Sequence, residues 1–198
     1  MSSVLQPRVA LLSPAEPLGR RLTVRLLVCI AASLFVAVCA HISVPIPFTP
    51  VPATMQTFAV ILVGMTLGPV GGCLALILYL AEGALGLPVF SPQGPGGILQ
   101  LLGPTAGYLF AYPIAAALAG SVVRFAKAHI PVFAAALTSG FVALLPVYVM
   151  GAMWLAHFTG LDSTHVVHLA ITPFLSAEVC KLLATAAAYT GLRSARRS

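Results

Sequence analysis

Residues 58–67 read Phe-Ala-Val-Ile-Leu-Val-Gly-Met-Thr-Leu, and residues 74–80 read Leu-Ala-Leu-Ile-Leu-Tyr-Leu. Long apolar runs of this kind favour membrane-spanning helices, because the strands of a transmembrane β-barrel alternate apolar and polar side chains. The whole chain has the same character: 60% of its 198 residues are hydrophobic and 7% are charged, whereas roughly 25% are charged in soluble domains. The sequence therefore predicts an all-α integral membrane protein.

The apolar segments predict a compact bundle of six transmembrane helices, since one span needs about 20 apolar residues. The predicted spans are residues 22–42, 53–68, 72–87, 105–125, 132–156 and 173–192. We expect a flexible tail over residues 1–20 and a basic tail over residues 193–198. Nine of the ten basic residues lie before or at the start of the first span, at or after the end of the fourth, or after the last. By the positive-inside rule, six crossings then place both termini in the cytoplasm.

Proline and glycine punctuate the predicted loops and turns. Residues 43–52 contain four prolines, which exclude a helix interior and favour an extended chain. Small residues also recur at intervals of four within and beside the spans, and such spacing lets helices approach closely. The residues in these series are Gly64, Gly68 and Gly72, then Gly103 and Gly107, then Ala116 and Gly120.

A charged pair lies inside the last predicted span. Glu178 and Lys181 are three residues apart there, and the other predicted spans contain basic residues only near one end, at Arg25 and Arg124. An ion at mid-bilayer depth costs roughly 2.5 to 3.5 kcal/mol, so it persists mostly where it meets a partner, a substrate or water. Helical spacing of three places both side chains on one face. The pair either forms a salt bridge that only fixes helix packing or binds a polar ligand. These two residues alone leave both interpretations open.

Other polar side chains lie at the outer ends of the predicted spans. They are Gln56, Tyr79, Glu82, Gln100 and Tyr108. Each of them singly fits an interfacial position, because amphipathic side chains favour that depth. Since all lie toward the same leaflet as the charged pair, we expect them to converge with it on a pocket open to the outside. Phe48 and Phe90, in the loops above, would cover that pocket.

The sequence lacks the motifs of an enzyme. Its lysines, Lys127 and Lys181, follow alanine and cysteine, so no Walker A loop is present, and neither HExxH nor GxSxG occurs. We therefore expect no catalytic residue and no cofactor, and the scattered basic residues do not indicate nucleic acid. Asp162, His165 and His168 have the spacing of metal ligands on one helical face. A divalent metal permease that uses these three residues is one alternative function, and a structural membrane subunit without its own ligand is another.

Four motifs occur in order along the membrane region. They are Val-Pro-Ile-Pro-Phe-Thr-Pro-Val-Pro-Ala-Thr-Met-Gln-Thr at 44–57, Leu-Gly-Pro at 67–69, Gly-Leu-Pro-Val-Phe at 86–90 and Gly-Pro-Thr-Ala-Gly-Tyr-Leu at 103–109. With this set of motifs the chain resembles the BioY family, the biotin-specific substrate-binding subunits of energy-coupling factor (ECF) transporters. The resemblance implies high-affinity biotin binding and uptake across the bacterial cytoplasmic membrane. It also implies a transmembrane coupling subunit and two ATPase subunits as partners.

The resemblance also implies roles for particular residues. In the last helix the family usually has Pro-Phe-x-Pro-Gly-Asp followed by a lysine, and the acid and the base contact biotin. Here Glu178 replaces the aspartate and Lys181 is the lysine; which part of biotin each one meets stays open. The loop residues Pro45, Pro47 and Phe48 would gate the site. In the first helix the small residues that would dock the coupling subunit are Ala32, Ser33 and Ala37.

Overall fold

The computed structural model describes residues 18–196, without the side chains of Leu18 and Ser163. The helices are α1 Leu18–His41, α2 Gln56–Ala84, α3 Gly97–Leu102, α4 Ala106–Ala126, α5 Val132–Thr159, α6 Ser163–Ala170 and α7 Leu175–Ala195. An antiparallel pair of short strands, β1 Ser43–Val44 and β2 Ala53–Thr54, follows α1, and a 3-10 turn at Thr172–Phe174 precedes α7. Of the two predicted tails, residues 1–17 and 197–198 lie outside the described residues, whereas residues 18–20 and 193–195 are helical.

Within the described chain, five helical segments are long and apolar enough to cross a membrane. They are Gly19–His41, Gln56–Ala84, Ala106–Ala126, Val132–Thr159 and Thr164–Ala195. The helices bury one continuous apolar core and leave many large apolar side chains exposed on their outer faces. Exposed apolar helix surface of this extent is what a lipid environment requires, so the predicted helical membrane class is confirmed.

The helix α2 reverses direction at Gly68. This residue has φ +81° and ψ 179°, a conformation that is in practice open only to glycine. Pro69 begins the next turn of helix, where its missing amide hydrogen is not needed. Gln56 Nε2 donates to Tyr79 Oη at 2.8 Å, although 23 residues of straight helix would hold them about 35 Å apart. The two arms of α2, residues 56–67 and 69–84, therefore run antiparallel.

Glycines allow this hairpin to pack backbone to backbone against α4. A methyl group added at Gly64 would lie 2.2 Å from the carbonyl oxygen of Ala116, and one added at Gly120 would lie 2.5 Å from the carbonyl carbon of Gly68. Neither position has room for a side chain. The packing role predicted from the spacing of small residues is thus confirmed at this contact.

Two cavities mark opposite ends of the bundle. The loops after α1, α2 and α5 meet at one end, where Val51, Ser91 and Phe174 line a common cavity. The turn between the arms of α2 and the carboxyl ends of α4 and α7 meet at the other end, where Thr66 and Arg193 line a second cavity. On α7, Lys181 lines the first cavity and Arg193 lines the second. At 1.5 Å per residue, these two positions are about 18 Å apart along the helix.

Candidate functional site

The cavity at the loop end is the candidate functional site. The arms and ends of α2, α4, α5 and α7 surround it, and the loops that contain Val51 and Ser91 lie across its mouth. Aromatic side chains form much of its wall. They are Tyr108, Tyr112, Tyr148 and Phe174. Apolar walls with a few convergent polar groups are typical of small-molecule sites.

Glu178 and Lys181 form a buried ion pair on this wall, with exposed fractions of only 5% and 8%. Lys181 Nζ donates to Glu178 Oε1, to the Thr54 carbonyl oxygen at 2.9 Å and to Thr57 Oγ1 at 3.0 Å. The Thr57 hydroxyl donates in turn to Glu178 Oε1 at 3.0 Å. Because an ammonium group has three protons, these three acceptors use the whole donor capacity of Lys181.

The second carboxylate oxygen of Glu178, Oε2, is not part of this hydrogen-bond network. Glu178 Oε2 is buried and forms no hydrogen bond of good geometry among residues 18–196, although the Tyr148 side chain lies within interaction range of this carboxylate. A buried acceptor without a donor costs about 1–3 kcal/mol, and more when it is charged. Native structures rarely keep such an atom except at functional positions. The site therefore offers one unused, negatively charged acceptor.

Gln56 is the centre of a polar network beside the pair. Its Nε2 donates to Tyr79 Oη at 2.8 Å, and that hydroxyl donates to the Val89 carbonyl oxygen at 2.9 Å. Its Oε1 accepts from Thr54 Oγ1 at 3.0 Å and from Tyr112 Oη at 3.4 Å. Both ends of the amide are therefore fixed, and the network links the two loops that cross the cavity mouth.

Gln100 and Tyr108 hold the remaining loops in place. Gln100, in the short helix α3, accepts from the Gly96 backbone amide at 3.1 Å and donates to Thr105 Oγ1 at 3.5 Å. Tyr108 Oη donates to the Ala170 carbonyl oxygen at 3.0 Å, which ties the start of α4 to the end of α6. These bonds fix the polar rim of the cavity between the glycine-rich loop and α6.

Comparison with known proteins gives the family. Residues 11–198 match the family model described as the BioY family. The chain belongs to the BioY family. Among curated relatives, the probable biotin transporter BioY of Pyrococcus horikoshii is 43% identical over 155 residues, which cover 75% of this chain and 85% of that protein. The biotin transporter BioY of Thermotoga maritima is 35% identical over 143 residues, covering 72% and 81% respectively.

A solved structure shares the fold of this BioY-family chain. It is the crystal structure of the S-component for biotin from an ECF-type ABC transporter. The TM-score is 0.79 at 23% sequence identity, and the match covers 91% of this chain and 95% of the other. The likeness therefore extends over most of the chain.

The structure brings most of the predicted binding residues to one cavity. Those that line it are Gln56, Gln100, Tyr108, Glu178 and Lys181. Tyr79 and Phe90 lie behind the wall, with their rings in edge-to-face contact at 5.4 Å between centroids. Tyr79 acts on the cavity through Gln56. Glu82 is turned away from the cavity and accepts a hydrogen bond from Ser33 Oγ on α1.

Two other groups of predicted residues do not line the cavity. Pro45, Pro47 and Phe48 are exposed, Phe48 to 82%, and the loop lines the cavity instead with Val51 and Pro52. Ala32, Ser33 and Ala37 were expected on a docking surface. They are buried against the rest of the bundle, so they present almost no surface to another subunit, and this expectation is corrected.

Among the lining residues that the sequence interpretation missed are Thr57, Tyr112 and Tyr148. Tyr112 lies four residues after Tyr108, which places both on one face of α4, and this spacing was an available signal. Thr57 follows Gln56 directly and is inconspicuous at the start of an apolar run. Tyr148 lies within the apolar helix α5 and has no sequence neighbour that marks it.

The proposed metal ligands do not form a site. Asp162 is the N-cap of α6: its carboxylate accepts from the His165 backbone amide at 3.2 Å and also contacts the His165 ring. These hydrogen bonds, the side-chain one first, lower the pKa of the exposed Asp162 carboxyl. Within residues 18–196 no three His, Cys, Asp or Glu side chains are grouped so as to hold a metal ion. The spacing of Asp162 and His165 therefore reflects helix capping.

Proposed function

We propose that this chain binds biotin and carries it across the membrane as the substrate-binding subunit of an ECF-type transporter. Its family membership supports this function, as do the names of its relatives and of the solved structure that shares its fold. The observation in the molecule that carries the proposal is the buried Glu178 and Lys181 pair on the cavity wall, with one carboxylate oxygen unsatisfied.

The hydrogen-bond inventory assigns different roles to the two ions. Biotin has an apolar bicycle and chain, a ureido group with two N–H donors, and a carboxylate. Glu178 Oε2 is an acceptor without a donor, so we assign it to a ureido N–H of biotin. Lys181 already donates to three acceptors, so its main role is to neutralise and orient Glu178. A charge-assisted bond in a dry cavity contributes both affinity and selectivity.

The remaining parts of biotin fit the rest of the cavity. The tyrosines and Phe174 provide apolar walls for the bicycle and the aliphatic chain. Gln100, Ser91 and Thr105 lie on the polar side of the lining, suited to the far end of the ligand. Residues 45–52, between the paired strands, would cover the ligand, and the bond from Lys181 to the Thr54 carbonyl ties that loop to the site.

We infer six membrane crossings, one for each arm of α2 and one each for α1, α4, α5 and α7. The reversal at Gly68 supports this count, because it lies at the end where the basic residues gather and returns the chain to the loop end. The charge distribution supports cytoplasmic termini in the bacterial cytoplasmic membrane.

A coupling subunit and two ATPase subunits are the proposed partners. The chain itself has no Walker A loop, so ATP hydrolysis has to come from other subunits. Since the small residues of α1 face inward, docking on this helix would use its outward side, which includes Leu34, Phe35 and Val38.

The experiment is a ligand screen on the purified protein, with biotin and other vitamins as ligands and the thermal unfolding temperature as the readout. Biotin is expected to raise this temperature, because a ligand that binds the native state stabilises it. Glu178→Gln and Lys181→Ala are each expected to weaken biotin binding about 10- to 100-fold, as loss of a charged hydrogen bond implies.

Two matched variants serve as controls. Glu82→Gln removes the carboxylate of α2, which lies outside the cavity, and Lys127→Ala removes the other lysine. Both are expected to bind biotin as the wild type does. Wild-type affinity in Glu178→Gln and Lys181→Ala would end the site assignment, and no response to biotin by the wild type would end the proposed function.

A further inference from the structure

A basic cavity lies at the opposite end of the bundle from the candidate biotin site. Its charged lining consists of Arg124, Lys127, Arg193 and Arg196, and its polar lining also includes Thr66 and Tyr189. The six residues come from three parts of the chain: the turn of α2, the end of α4 and the end of α7. The bundle therefore gathers charges that are far apart in the sequence.

The position of each cation has an ordinary explanation when it is taken alone. That explanation does not account for the four cations facing one cavity. Arg124 and Arg193 each lie in the last turn of a helix, where the helix dipole favours a positive charge. The dipole does not require that the two side chains face a common space. Within residues 18–196, no Asp or Glu lines this cavity. Arg124, Arg193 and Arg196 alone place three like charges around one space, where they repel one another, so a bound anion would stabilise this arrangement.

Two of the lining side chains are packed against the rest of the bundle. A methyl group added at Gly68 would lie 1.8 Å from Arg124 Nη2, so the guanidinium packs directly on the backbone of the turn. Tyr189 is 5% exposed and lines the cavity. A guanidinium packed on backbone and a nearly buried tyrosine lose less freedom on binding than the side chains of a freely solvated basic surface.

We propose that the basic cavity binds a phosphate group. Guanidinium groups match the oxygens of phosphate in a bidentate way, and a tyrosine hydroxyl adds a further donor. The surroundings favour the headgroup of an anionic membrane lipid, because the exposed apolar side chains of Val70, Phe125 and Leu192 lie on the same end of the bundle. Basic pockets between transmembrane helices are known to bind such headgroups. The proposal does not depend on which ligand occupies the other cavity.

A bound phosphate would join the turn of α2 to the ends of α4 and α7. The test therefore measures the thermal unfolding temperature of the purified full-length chain. In one arm, delipidated protein in neutral detergent receives inorganic phosphate, with sodium chloride at equal ionic strength as the reference. In the other arm, the protein is compared in nanodiscs of phosphatidylcholine alone and of phosphatidylcholine mixed with phosphatidylglycerol.

Phosphatidylglycerol is expected to raise the unfolding temperature of the wild type by several degrees. A rise with inorganic phosphate as well assigns the site to the phosphate group itself, and a rise with the lipid alone assigns it to a headgroup; both support the proposal. If neither phosphate nor phosphatidylglycerol raises the temperature above its reference, the proposal is overturned.

Variants connect the effect to the cavity. Arg193→Gln combined with Arg196→Gln is expected to lose most of the rise, and Tyr189→Phe to lose part of it. The matched control is Arg25→Gln, which removes an exposed cation of α1 outside the cavity lining and is expected to keep the full rise. Unfolding temperatures in phosphatidylcholine alone report whether each variant is folded. An undiminished rise in the double variant, or an equal loss in Arg25→Gln, contradicts a specific site.

Discussion

At the scale of single residues, the central feature is that Glu178 and Lys181 neutralise each other, which lowers the free-energy cost of burying both charges. An unpaired ion in a protein interior costs several kcal/mol, and the pair here is supported by Thr57 and by the Thr54 carbonyl. The support is complete for the lysine and incomplete for the glutamate, whose Oε2 has no donor within the described chain. The pair thus leaves one buried acceptor that an N–H donor could satisfy.

The first prediction follows from this coupling. Lys181→Met leaves Glu178 buried without its counter-charge and is expected to lower the free energy of unfolding by about 3–5 kcal/mol. Glu178→Gln is expected to be destabilising as well, because it leaves the ammonium without its anion. The double variant contains neither charge, so its loss should be clearly smaller than the sum of the two single losses. Reversible unfolding in mixed detergent micelles measures all three values. Strictly additive losses would contradict the coupling.

The sequence predicts the charged core of the site and only part of its wall. Glu178 and Lys181 are conspicuous because ions are rare in apolar spans, and a spacing of three decides that they share a face. Thr57 and Tyr148 are inconspicuous because a threonine or a tyrosine is common near or in a span. For Glu82 the sequence shows the charge and the depth. It does not show that the side chain turns toward Ser33 on another helix.

At the scale of elements, the hairpin of α2 shows which features of packing are local. The Gly-Pro step at 68–69 predicts a break, because the backbone needs a glycine-only conformation and then an early proline. The residue that packs against this break is distant in the sequence: the backbone of Gly120 in α4 lies directly against Gly68 and Pro69. The same limit explains the incorrect docking surface on α1. Small residues four apart indicate a close contact but do not say whether it lies inside the chain or with another subunit.

The second prediction tests this contact. Gly120→Ala adds a methyl group 2.5 Å from backbone atoms of Gly68 and Pro69, so the helices must separate, and we expect a loss of about 1–3 kcal/mol in the free energy of unfolding. Gly191→Ala is the matched control, because a methyl group there meets nothing within 4 Å. In a helix interior it should be neutral or stabilising by about 0.5–1 kcal/mol. Unfolding in detergent compares the two variants, and equal effects would show that the close approach does not matter.

At the scale of the whole molecule, the two ends differ in chemistry. One end collects the proline- and glycine-rich loops and the cavity with the charged pair, and the other collects the turn of α2 and four cations around the basic cavity. The sequence predicts this division from the spacing of basic residues along the chain. It cannot predict that four of those residues meet around one space, because their convergence depends on how α4 and α7 pack against α2.

The third prediction decides the number of crossings. The two arms of α2 follow each other without a loop over 29 residues and are separated only by the break at Gly68. A chain with five crossings and a chain with six therefore differ only in whether α2 returns at Gly68. With cytoplasmic amino termini, six crossings place Gln93 outside and Ser194 inside. Five crossings, with α2 spanning once, exchange both positions. The two residues are exposed and lie outside the two cavities.

The experiment uses Gln93→Cys and Ser194→Cys, each in a background with alanine at the native cysteines Cys29, Cys39, Cys73 and Cys180. On intact cells, a membrane-impermeant maleimide is expected to label Gln93→Cys and not Ser194→Cys, while permeabilised cells should show labelling of both. The bond from Gln56 to Tyr79 requires the antiparallel arms that produce this pattern. Labelling of Ser194→Cys alone on intact cells would mean that α2 is straight in the membrane, and the cavity built on its hairpin could not form.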